Sequence, residues 1–123
     1  MKRDFEALKA RTKVFALRIL RLYRSLPTKE ARILGRQLLR SSTSIGANYR
    51  AACRGRSRAE FAAKLGIVLE EADETVFWLE LIQEGNIFPA EKLRDLVREA
   101  NELVSIFVAS VRTVKTLPLQ SHL

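Results

Sequence analysis

A chain of 123 residues, 47% of them hydrophobic, is sized for one domain with a real core, and it carries a formal net charge of +8. Its longest apolar runs, such as residues 106–109, fall far short of the ~20 residues a membrane span needs, no signal-peptide core follows the charged start, and Cys53 stands alone. An intrachain disulfide and a thiolate metal cage within one subunit are therefore excluded, no membrane span is expected, and a soluble, cytoplasmic protein is expected.

The first helix is expected to bury Phe5, Leu8, Thr12, Phe15, Ile19, Leu22 and Leu26, which alternate at spacings of three and four, and to stop at Pro27. Thr28 then caps a second helix with Ala31, Leu34, Leu38, Ile45 and Ala52 on its core side. The opposite side holds Lys29, Arg32, Arg36, Arg40, Arg50 and Arg54 on one 3,4-spaced series, interrupted only by Thr43 and Ala47. At about 1.5 Å per residue that stripe runs roughly 38 Å. The middle of this helix, Ser41-Ser42-Thr43-Ser44-Ile45-Gly46, is poor in helix formers, so a kink or a break is expected there.

Gly55 ends the second helix, and Ser57 with Glu60 has the spacing of a capping box for the third, whose core side is Phe61, Leu65, Val68, Ala72, Val76, Leu79 and Ile82. Gly85-Asn86 closes it. Pro89 opens a fourth helix with Leu93, Leu96, Ala100, Leu103, Phe107, Val111 and Val114 in its seam, and Pro118 ends the pattern, leaving a tail from about residue 117 that is expected to fray. Short connections between long helices predict an all-α, antiparallel, up-down-up-down four-helix bundle, a single domain over 1–123.

Charge is segregated along this plan. Residues 1–58 hold 16 Lys/Arg against 3 Asp/Glu, a net of +13, whereas residues 59–123 hold 6 against 11, a net of −5. Some apolar residues also fall outside a four-helix core: Leu17 among Lys13, Arg21 and Arg24, Phe77 among acids, and Val97, Val104 and Val108 beside the fourth seam. Together with Trp78 they predict a subunit interface.

Catalytic constellations are missing from the sequence. The single histidine, His122, is penultimate, no Glu-x-x-His pair exists, and Gly46, Gly55 and Gly66 are scattered rather than gathered in a phosphate loop. Glu70, Glu71, Asp73, Glu74, Glu80 and Glu84 spread around much of the third helix, as a solvated or interface face does rather than a metal site. No enzyme activity, cofactor or metal is expected.

One stretch goes beyond periodicity: Gln37 to Arg50, reading QLLRSSTSIGANYR, followed by Ser57, Glu60-Phe61, Lys64-Leu65, Glu71 to Thr75 and Trp78-Leu79-Glu80. It resembles the bacterial four-helix-bundle proteins encoded in intervening sequences of large-subunit rRNA genes, over essentially the whole chain. The resemblance implies homopentameric rings with basic surfaces, and a distant similarity to the accessory subunit of diversity-generating retroelements, which partners a reverse transcriptase and binds nucleic acid. Within the stretch, Ser41, Ser44 and Gly46 suit close helix approach and Asn48 suits bonding of backbone at the kink. The rival assignment has Ser44, Asn48 and Tyr49 touching a ligand, with Tyr49 and Trp78 stacking on bases.

Two functions follow as expectations. The first is a non-catalytic oligomer that binds RNA or DNA with little sequence preference through Lys13, Arg21, Arg24, Lys29, Arg32, Arg36, Arg40, Arg50 and Arg54. The alternative is a scaffold or accessory subunit for a protein partner such as a reverse transcriptase, in which the acidic third helix meets a neighbour's basic helices.

Overall fold

The computed structural model describes the backbone of residues 2–116 and the side chains of residues 4–116. Pro118 and His122, and with them the expected frayed tail, lie outside the described residues. Four helices follow in order: α1 (Lys2–Ser25), α2 (Lys29–Cys53), α3 (Arg58–Glu84) and α4 (Ala90–Thr116), with no strand among the described residues.

Each boundary has a local cause. Leu26 donates to the Tyr23 carbonyl at 3.2 Å as α1 closes ahead of Pro27. Thr28 is extended, and its hydroxyl oxygen accepts the Ala31 N–H at 3.0 Å, satisfying a donor the helix itself leaves free. Ser57 Oγ accepts the Glu60 N–H at 3.1 Å, but the Glu60 carboxylate accepts from Arg56 at 2.6 Å, one residue earlier than the reciprocal arm of a capping box. At the end of α3 it is Asn86, with φ 55°, that takes the left-handed conformation while Gly85 stays right-handed. Pro89 precedes α4, and its carbonyl accepts the Lys92 N–H at 3.1 Å.

Only neighbouring helices touch. α1 packs on α2, α2 on α3 and α3 on α4, α4 meets α1 along a narrower seam, and across the diagonals the backbones stay apart while rings meet through the core, Phe5 on Phe61 and Tyr49 on Phe107. This is the square, antiparallel bundle the periodicity predicts. Phe15, Ile19, Leu38, Ile45, Leu65, Leu79, Ile82, Leu93, Leu103 and Phe107 are buried in its core. Each such side chain contributes roughly 1.5–3 kcal/mol relative to exposure. Of the positions expected inside, Phe5, Leu8, Leu34, Val76 and Val111 pack on the core only partly buried.

A break in α2 is absent, because it is α-helical at every residue from Lys29 to Cys53. The hydroxyls blamed for it return their hydrogen bonds to their own helix: Ser41 to the Leu38 carbonyl, Ser42 to Leu39, and Ser44 to Arg40. Small side chains here serve contact instead. A Cβ on Gly46 would stand 3.3 Å from Thr12 Oγ1, and one on Gly35 would stand 2.3 Å from Leu26 Cδ1, so α1 presses on α2 at both places. Toward α3, the buried Thr75 hydroxyl lies 2.9 Å from Ser41 Oγ, joining the two helices where neither residue sees solvent.

The narrow α1–α4 seam is closed by charge. Arg11 donates from Nε and Nη2 to the two carboxylate oxygens of Glu99, each at 2.8 Å, and Nη2 also reaches Glu102 at 3.3 Å. This fork holds the half-buried Glu99 below the usual carboxylate range against the opposing effect of burial.

Two stability predictions follow from this packing. Gly46→Leu should lower unfolding free energy by about 1–3 kcal/mol through overpacking against Thr12. Gly66→Ala, in the interior of α3 where a Cβ meets nothing within 4 Å, should raise it by about 0.5–1 kcal/mol; urea titration of both checks the pair. Because Glu99 titrates lower when folded, its contribution is present above the ordinary glutamate pKa and fades as pH falls through the folded value. Glu99→Gln should therefore be less stable than the wild type at neutral pH, with the two denaturation midpoints converging in acid.

Candidate nucleic-acid interface

The cations expected to bind phosphate lie on two adjacent helices, α1 and α2, with Arg54 at the cap that ends α2; Lys13, Arg36 and Arg40 line the groove between these helices and Arg21 the groove toward α4. They are not equivalent. Lys13, Arg21, Arg24, Lys29, Arg36, Arg50 and Arg54 are exposed and make no ion pair with any described residue. Arg32 donates from Nε to the Leu26 carbonyl at 3.3 Å, so it fastens the α1–α2 turn. Arg40 reaches the other way, bonding Glu74 and standing 3.5 Å from Glu71, both on α3 of the same chain. The stripe is thus broken electrostatically at its centre while its ends stay free.

Between α1 and α2 runs a groove of about 520 Å³ with a floor of Ala16, Leu17, Leu20 and Leu39 and with Lys13, Arg36 and Arg40 at its edges. A second groove, about 470 Å³, lies between α1 and α4; Arg18, Arg21, Lys92 and Asp95 surround Leu22, Phe88 and Leu96 in it. Lys92 Nζ stands 5.7 Å above the Phe88 ring there.

Of the remaining candidates, Ser41 and Gly46 are buried, and Ser44 is half-buried against its own helix. Asn48 donates from Nδ2 to the Ser44 carbonyl at 2.9 Å, one turn back along its own helix. Tyr49 is 3% exposed with its ring tilted against Phe107 at 5.5 Å, so it has no face on which to stack a base. Burial pushes its hydroxyl and the half-buried Cys53 thiol above their ordinary pKa.

The apolar surface is distributed differently from the sequence expectation. Phe77 is 54% exposed, but Trp78 is half-buried and meets Phe77 edge-on at 5.0 Å, with its indole N–H buried and unpaired. On α4, Val97 and Val104 pack against the core and Val108 is half-buried. Exposure falls instead on Val14, Leu17, Ile33, Ile67 and Leu81, of which only Leu17 stood out in the sequence. Leu81 had a signal: with Leu79 and Ile82 both turned to the core, the two residues between them, Glu80 and Leu81, must face outward.

Along α3, Glu70, Asp73, Glu80 and Glu84 are exposed without a described partner, whereas Glu71 and Glu74 are engaged by Arg40. No three His, Cys, Asp or Glu side chains among the described residues are grouped to hold a metal ion, and no helix is long and apolar enough to cross a membrane.

The chain is similar to proteins with the same bundle. A crystal structure of a protein of unknown function from the S23 ribosomal protein family of Bacteroides thetaiotaomicron VPI-5482 superposes with a TM-score of 0.80 at 35% identity, covering 88% of this chain and 97% of that one. No curated protein gives a significant match. The family model described as 23S rRNA-intervening sequence protein matches residues 6–109, most of the bundle, and the chain belongs to that family.

Proposed function

We propose that this chain is a non-catalytic nucleic-acid-binding protein that acts as an assembly of several copies and holds RNA or DNA by its phosphates. One observation carries the proposal: seven exposed cations on α1 and α2 have no acidic partner among the described residues, although exposed acids are available on α3. A nucleic acid carries a condensed counterion atmosphere, and cations left unpaired on the protein gain affinity for it by releasing those ions. Most are arginines, whose planar fork suits phosphate oxygens. Contacts to phosphate oxygens fix the position of a backbone and carry no sequence information of their own. The family name refers to an intervening sequence of 23S rRNA, and the similar crystal structure is placed in a ribosomal protein family, both RNA settings.

Assembly, for which a pentameric ring is the proposed form, would repeat the cationic side in every subunit and raise affinity through multivalency. The alternative role, a scaffold for a protein partner such as a reverse transcriptase, is favoured by the apolar floor of the α1–α2 groove, since phosphate does not need one.

The test replaces Arg21, Arg24 and Lys29 together by Gln, because all three are exposed and unpaired. Binding to unrelated RNA and DNA oligonucleotides should weaken with little sequence dependence, and the slope of log affinity against log salt should fall by about 2–3 for each engaged subunit. Arg40→Gln, which removes a residue already neutralised by Glu71 and Glu74, should change that slope far less. Unaltered affinity and slope in the triple variant would overturn the proposal.

A further inference from the structure

We infer that this chain binds a second copy of itself head to tail, with Phe77 and Leu81 of α3 seated in the α1–α2 groove of the neighbour. The inference rests on the multi-copy reading above and names its contact. Phe77 and Leu81 are 54% and 40% exposed and lie four residues apart, one helical turn, on the side of α3 that faces away from the core. The Trp78 ring supports Phe77 edge-on, so the knob is held in place before any partner arrives. The receiving groove has an apolar floor that includes Leu17, 43% exposed, and its 520 Å³ is of the size that encloses small ligands and so suffices for two side chains.

Charge matches the same pairing. Asp73, Glu80 and Glu84 flank the knob without partners, and Lys13 and Arg36 edge the groove without partners. Either surface alone leaves apolar area in water beside uncompensated charge, and docking them removes both costs. The occupant is a second copy because both complementary halves, in shape and in sign, are carried by one chain. Knob and groove are different faces, so the contact is heterologous, and each subunit keeps one of each. Arg21, Arg24 and Lys29 are not among the residues lining this groove and stay available to phosphate.

Two single variants test it: Phe77→Asp removes the knob and Leu17→Asp the groove, and both replace exposed side chains. Light scattering at micromolar concentration, in low and moderate salt, should give a multi-subunit mass for the wild type and a monomer mass for each variant. An equimolar mixture should form a heterodimer and nothing larger, since one variant still offers a knob and the other a groove. Circular dichroism establishes that each is folded; should Leu17→Asp fail to fold, Lys13→Glu with Arg36→Glu serves as the groove variant with the same expected outcome. A monomeric wild type, a folded variant that assembles normally, or a mixture that stays monomeric would each overturn the inference. Phosphate binding is read separately: Phe77→Asp should still bind oligonucleotide as a monomer, with reduced avidity. Loss of assembly with binding retained therefore tests the contact, and loss of binding in the Arg21/Arg24/Lys29 variant with assembly retained tests the nucleic-acid proposal.

Discussion

Close approach of α2 to its two neighbours is the constraint on which the remainder of the structure depends. Gly35 and Gly46 leave room for Leu26 and Thr12 of α1, and Ser41 meets Thr75 of α3 in the same buried layer. Larger side chains at these positions would hold the helices apart and open the core, where gaps forfeit dispersion contacts. The cost is a run of weak helix formers in the middle of a 25-residue helix. Packing on both sides and hydroxyl bonds to the preceding turn outweigh that cost, and α2 stays continuous.

Because α2 is continuous through this layer and packs on α1, the cations of the two helices are carried by adjacent elements. Proximity alone does not make them a binding surface. Arg32 and Arg40 are drawn into the protein's own architecture, one fastening a turn and the other bridging to α3, and both have lost part of their availability to a ligand. The free cations lie toward the two ends of the stripe and on α1. The α1–α4 seam follows another logic, with a bidentate Arg11–Glu99 pair substituting for the extensive side-chain packing of the other three seams.

Polar groups in the family-resembling stretch are structural in this arrangement. Ser41, Ser44, Gly46 and Asn48 either make contact between helices or bond within α2, and Tyr49 fills core space against Phe107. The acidic residues of α3 divide in the same way: Glu71 and Glu74 belong to the α2–α3 seam, and the others remain solvated.

The sequence by itself determined the four helices, their caps and most of the core, because a period of 3.6 residues and local capping chemistry are written in neighbouring residues. Thr28, Ser57 and the Phe15–Ile19–Leu22–Leu26 seam were legible for that reason. It also determined that positive charge concentrates in the first two helices. Only the tertiary structure decided which of those charges are free, since the partner of Arg40 is 34 residues away in α3 and no local pattern encodes the pairing. The same holds for the continuity of α2, which local propensity argued against, and for the placing of exposed apolar surface on Val14, Ile33 and Ile67 rather than on α4. Exposure depends on how each helix is rotated against two neighbours at once, and that rotation is set by packing between distant segments, not by the sequence of any one of them.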